Sequence, residues 1–106
     1  MISYGIGLLR VQLLFRGART LKDRRGPVRS IKDRLRNMGF TVAQVGPPDL
    51  LQRVWISAAI VSGSSAVIRG KLKKAQELMY GPEMEPVELF SSIVGTCETL
   101  PEWEKV

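Results

Sequence analysis

Apolar residues alternate with period two in four segments and recur near period 3.6 in two others, which predicts four strands and two helices. Residues 4–15, YGIGLLRVQLLF, put Leu9, Val11, Leu13 and Phe15 on one parity and Leu8, Arg10, Gln12 and Leu14 on the other. That is a strand with one apolar face and one mixed face. Beyond it, Val28, Ile31, Leu35 and Met38 follow at spacings of 3, 4 and 3, with Leu21 one heptad before Val28. The stripe predicts a helix over 20–38, with Thr20 as N-cap, Asp23 as its capping-box partner and Gly39 at C′. Gly26-Pro27 interrupts it. Pro27 cannot donate to the carbonyl of residue 23 and clashes with it, so a kink or a broken first turn is expected.

FTVAQV, residues 40–45, reads as a second strand, and GPPDLLQR, residues 46–53, as a loop, because Pro47 and Pro48 cannot donate to a ladder. VWISAAIV, residues 54–61, is a third strand, with Val54, Ile56, Ala58 and Ile60 as its core face. SGSS supplies caps for a second helix over about 64–79, with Ile68, Leu72, Ala75 and Met79 inward. VELFSSIV, residues 87–94, is a fourth strand with Val87, Leu89 and Ile93 on one face. The order βαββαβ predicts an α+β, ferredoxin-like sandwich: a four-stranded antiparallel sheet of order 4-1-3-2 with two helices on one face. Residues 1–94 form that single domain, and 95–106, with Trp103, form an acidic C-terminal tail.

Composition narrows the chemistry. With 106 residues, 44% hydrophobic and 25% charged, the chain is one globular domain. The apolar run near the N-terminus carries Arg10 and Gln12 and ends at Arg16. It is too short and too polar to span a bilayer and lacks a positive leader segment, so no membrane association and a cytoplasmic location are expected. Cys97 is the single cysteine and there is no histidine. The commonest general base and the commonest metal ligand are thereby removed, and no metal, cofactor or enzymatic activity is expected. Tyr4, Tyr80 and Cys97 show no activating partner in the sequence, and GIG within a strand is a weak phosphate-loop signal.

The net charge of +6 is unevenly spread. Residues 1–76 hold 15 Lys and Arg against Asp23, Asp33 and Asp49, while 77–106 hold Lys105 against seven Glu. The asymmetry suggests an anionic partner for the basic part. The alternative is an acidic tail folded back over it. On the first helix, Lys22, Arg25, Arg29, Lys32 and Arg36 fall within about 80° of one another and form a stripe about 21 Å long. They are the candidate nucleic-acid-binding residues, against the alternative of a solvated face softened by Asp33. Arg69, Lys71, Lys73 and Lys74 point in scattered directions and read as solvated charge.

Two further candidates concern other surfaces. The sheet face away from the helices is expected to carry Leu8, Arg10, Gln12, Leu14, Trp55, Ser57, Val61 and Phe90. Leu8, Leu14, Trp55 and Val61 are the candidate homodimer interface, with cover by the Trp103 tail as the alternative. Asp49, Gln52 and Arg53 form a candidate polar loop site, against the alternative of an Asx-type turn with a structural ion pair.

The stretches LLRVQLLFRGARTLKDRR, VRSIKDRLRN and DLLQRVWISAAIVS resemble the YlxP-like proteins, a bacterial family of unknown function. The likeness covers most of residues 5–94 and includes Asp49-Leu50-x-Gln52-Arg53. The departures are Gly26-Pro27, where the family usually continues helically, and Pro47-Pro48, where it usually has polar residues. The resemblance implies a ferredoxin-like fold and a gene neighbourhood of translation initiation and ribosome maturation. Two functions from different classes follow as expectations. One is a small basic protein that binds RNA or a ribosomal particle without catalysis. The other is a homodimeric interaction module using the open sheet face.

Overall fold

A computed structural model of the chain describes residues 2–98. It contains β1 (Ile2–Leu14), α1 (Leu21–Asn37), β2 (Thr41–Val45), β3 (Arg53–Ser62), α2 (Ser65–Glu77) and β4 (Glu85–Glu98). All neighbouring strands are antiparallel, in the order β2-β3-β1-β4, which is the expected order read from the other edge. β4 runs four residues past the expected end of the fourth strand, pairing Gly95 with Gly5 and Glu98 with Ile2. The remainder of the acidic tail, with Trp103, lies outside the described residues.

Strand parity decides the core. Leu9, Val11, Leu13 and Phe15 are buried with Val54, Ile56, Ala58 and Ile60. Val28, Ile31 and Leu35 of α1 and Ile68, Leu72 and Ala75 of α2 join the same cluster, so both helices cover one face. Gly5 and Gly7 lie on that face of β1. A Cβ built there comes within 2.8 Å and 2.6 Å of the Ile68 side chain. The glycines let α2 rest directly on the strand backbone, a packing role rather than a phosphate-binding one.

The N-terminus of α1 carries the expected capping box: Asp23 N–H donates to Thr20 Oγ1 at 3.2 Å, and Thr20 N–H to Asp23 Oδ2 at 3.0 Å. Arg19 N–H donates to the same carboxylate oxygen at 2.8 Å. The backbone hydrogen bonds from Arg19 and Thr20 hold the Asp23 carboxyl below its ordinary range, because they favour the charged form. Its stabilising contribution is present above the unfolded-state value and is lost as pH falls through the folded one. Acid melts of Asp23→Asn are therefore expected to lose part of the wild type's pH dependence at and below the ordinary aspartate range. Thr20→Ala is expected to cost about 1 kcal/mol by urea unfolding.

At the other end, Gly39 adopts φ +100°, Gly39 N–H donates to Arg36 O at 2.9 Å and Phe40 N–H to Leu35 O at 3.0 Å. This is a Schellman motif. Lys71 Nζ donates to Met38 O at 2.6 Å. Far from being solvated, this half-buried lysine of α2 sits on the C-terminal carbonyls of α1, where the helix dipole favours a cation.

Three expectations are corrected. α1 is one continuous helix through Gly26-Pro27, so of the two expected alternatives, a kink or a broken first turn, the broken first turn is absent. The missing Pro27 hydrogen bond removes one link, while the capping box and the core stripe hold both sides. Leu21 is 41% exposed, and Arg24, at 5% exposure, takes the inward place in its turn. Val87 lies outside the core, 44% exposed. A register shift between Gln12 and Leu13 pairs Gln12 with Glu88 and Leu13 with Pro86, leaving Val87 as the extra residue.

Candidate nucleic-acid interface

The inward residues of α1 are Arg24, Val28, Ile31 and Leu35. Each is followed by a cation: Arg25, Arg29, Lys32 and Arg36. One position onward rotates the side chain by about 100°, from the core to the flank of the helix. All four line a groove of about 640 Å³, which also takes in Leu21, Arg24, Val28, Gln44 of β2, Pro48 and one carboxylate, Asp33. The structure thus gathers four of the five stripe residues around one concavity. Lys22, the fifth, follows Leu21 at the N-terminal end and does not line it.

Charge pairing elsewhere sharpens the contrast. Arg10 pairs with Glu88 at 2.7 Å and Arg16 with Glu85, so the glutamates of β4 neutralise the arginines of and just beyond β1. On α1, Asp33 reaches Arg36 at 3.5 Å. Among the described residues no ion pair involves Lys22, Arg24, Arg25, Arg29 or Lys32. Among the described residues, Glu85 and Glu88 compensate the β1 side, and α1 keeps its surplus.

Arg24 was not a site residue by periodicity, since a cation at an inward position breaks the apolar pattern. Its Nη2 donates to the carbonyl of Pro48 and fastens the 46–53 loop to the helix. Its Nε is enclosed with no hydrogen-bond partner among the described residues.

The polar loop residues do not converge. Gln52 Nε2 donates to Arg16 O at 3.1 Å and to Ala18 O at 3.5 Å, while Phe15 N–H donates to Gln52 O at 2.8 Å. Gln52 ties the loop after β1 to the loop before β3. Asp49 and Arg53 are exposed and, among the described residues, form no ion pair and no side-chain hydrogen bond, so the expected pairing is absent.

On the open sheet face the four interface candidates form two groups. Leu8 and Val61 lie toward one end, with Leu8 opposite Ala59 and Val61 opposite Ile6. Leu14 and Trp55 lie toward the other, with Leu14 opposite Arg53 and Trp55 opposite Gln12. The Arg10–Ser57 pair sits between them. Trp55 is half-buried, and a Cβ on Gly46 would meet its ring at 3.2 Å. Small residues make a shallow depression of about 480 Å³ among Leu8, Thr41, Ala43, Ser57, Ala59 and Phe90. Phe90, 53% exposed, is the aromatic most open to solvent on this face.

Among the described residues, no group of three His, Cys, Asp or Glu could hold a metal ion, and no helix is long and apolar enough to cross a membrane. A comparison with curated proteins finds no match. A family model does match, over residues 6–91, from β1 into β4, and the chain belongs to that family, described as "Protein of unknown function (DUF503)".

Proposed function

We propose that the protein is a small, basic, cytoplasmic, non-enzymatic RNA-binding protein that meets ribosomal RNA or a ribosomal particle through α1. The observation that carries this reading is the unequal distribution of counter-charges. The arginines of the β1 side have glutamate partners, whereas Arg25, Arg29 and Lys32 line one groove and form no ion pair among the described residues; its one carboxylate, Asp33, lies 3.5 Å from Arg36, which leaves the groove net positive. Like charges at helical spacings of three and four repel by a few tenths of a kcal/mol per pair. A phosphate backbone relieves that repulsion and releases counterions on binding. The resemblance to the YlxP-like proteins, with their translation-related gene neighbourhood, supports a ribosomal context. Sedimentation tests it: the protein is expected to travel with ribosomal particles at low salt and to leave them at high salt. A protein that stays at the top of the gradient at low salt removes the reading.

The depression beside Phe90 favours a second reading, a homodimer through the open sheet face. Exposed Leu8, Phe90 and Val61 share that face with the neutralised Arg10–Glu88 pair. Under this reading, light scattering gives twice the chain mass, and Val61→Glu returns it to that of one chain. A clean monomer in the wild type contradicts it.

A further inference from the structure

Arg24 is the one buried charged side chain among the described residues, at 5% exposure. A buried guanidinium normally has a carboxylate beside it, because the desolvation of an unpaired charge costs several kcal/mol. Here the Pro48 carbonyl is its hydrogen-bond acceptor and its Nε has none; the adjacent Asp23 spends its carboxylate on the Arg19 and Thr20 N–H groups and forms no ion pair with Arg24. The buried charge lies at the floor of the groove between α1 and the 46–53 loop, where low dielectric and distance from salt leave its field little screened. Leu21, Val28 and Pro48 give the same groove apolar surface.

We propose that this groove holds an unpaired nucleotide of single-stranded RNA, its phosphate against Arg25, Arg29 and Lys32 and its base laid on the Leu21–Pro48 surface. The proposal rests on the RNA reading above and names the form of RNA that the site selects. Arg24 acts as a positioning residue: it fastens Pro48 as one wall and adds a positive charge beneath the phosphate. Concavity is what separates single strand from duplex. A base that is already paired and stacked cannot enter a groove between a helix and a loop, and A-form RNA presents chiefly its backbone and 2′-hydroxyls. An unpaired base can enter, and groove cations together with a platform for the base are the usual means of holding single strands.

The test is fluorescence anisotropy on the full chain. One labelled probe is an unstructured single-stranded RNA of about ten nucleotides, within the site sizes of single-strand binders. The other is an RNA duplex of about ten base pairs, with affinities corrected for its larger number of phosphates. The single strand is expected to bind a few-fold tighter, below the gain of a base stacked on an aromatic ring. Leu21→Ser and Pro48→Ser change no charge and sit at exposed positions. Each is expected to remove most of that preference while leaving duplex affinity and the salt slope unchanged. Equal affinity for the two probes, or variants that weaken both alike, overturns the groove site and leaves the cationic stripe standing. Failure of both probes to bind at low salt overturns the RNA reading and the groove with it.

Discussion

Gly7→Ala is expected to destabilise the fold by about 1–3 kcal/mol, the range for inserting a methyl group into a packed core. The new Cβ comes 2.6 Å from Ile68 Cγ2 and 3.0 Å from Ile60 Cγ2. Ile68 is fully buried and has little room to withdraw. Relief therefore requires α2 to lift from β1 or the strand to bend. In a domain of this size the loss lowers Tm by several degrees for each kcal/mol. Gly70 is the contrast. It lies on the exposed side of α2, and a Cβ there meets nothing within 4 Å. Gly70→Ala removes a poor helix former without a clash and is expected to stabilise by about 0.5–1 kcal/mol. Urea unfolding of the two variants gives opposite signs. Adding Ile68→Ala to Gly7→Ala is expected to cost less than the sum of the two single changes, because the shortened side chain makes room for the methyl group. Full additivity would show that the strand–helix approach is not what Gly7 permits.

The second large effect concerns binding. Arg29→Gln with Lys32→Gln removes two cations from the middle of the groove wall. At roughly 0.7 of slope per charge on a single strand, the dependence of log K on log salt is expected to flatten by about 1.4. At about 0.1 M salt that corresponds to an affinity loss of about 25-fold, spread evenly over sequences because phosphates carry no sequence information. The control pair removes the same net charge elsewhere. Arg34 lies on another side of α1 and Lys73 on α2, and neither lines the groove. Arg34→Gln with Lys73→Gln is expected to change affinity by only a few-fold. Equal losses for the two pairs would mean diffuse attraction to a basic protein, with no role for the stripe. Arg24 is unsuitable as a control despite its distance from the stripe in a helical projection, because it is buried and holds Pro48.

The parts of this fold that the sequence makes legible are those in which one period acts alone. β1 and β3 alternate cleanly, so parity names Leu9, Val11, Leu13, Val54, Ile56, Ala58 and Ile60 as core without knowledge of their neighbours. The cap residues Thr20 and Gly39 are legible because each solves a local backbone problem. What escapes the pattern depends on other elements. Arg24 occupies a helical core position because the Pro48 carbonyl, 24 residues later, accepts a hydrogen bond from its Nη2. Lys71 looks like one more surface lysine until the end of α1 is placed beside it. Val87 has core parity only if β4 has no bulge, and the bulge is set by pairing with β1. The cationic stripe was visible as a face of a helix, but its concavity was not, since the opposite wall comes from β2 and the 46–53 loop. Gln52 was readable as polar and as near Asp49, whereas its two carbonyl acceptors at Arg16 and Ala18 belong to a distant loop.

The most direct test of the account is the equilibrium affinity of the wild-type protein for an unstructured single-stranded RNA as a function of salt. Five phosphate contacts, from Lys22, Arg25, Arg29, Lys32 and Arg36, predict a straight line of log K against log salt with a slope of about −3.5. Arg36 shares its charge with Asp33 at 3.5 Å, an exposed pair that phosphate displaces at little cost. A slope near zero, or no measurable binding at low salt, would contradict the claim that the cationic side of α1 is a phosphate-binding surface.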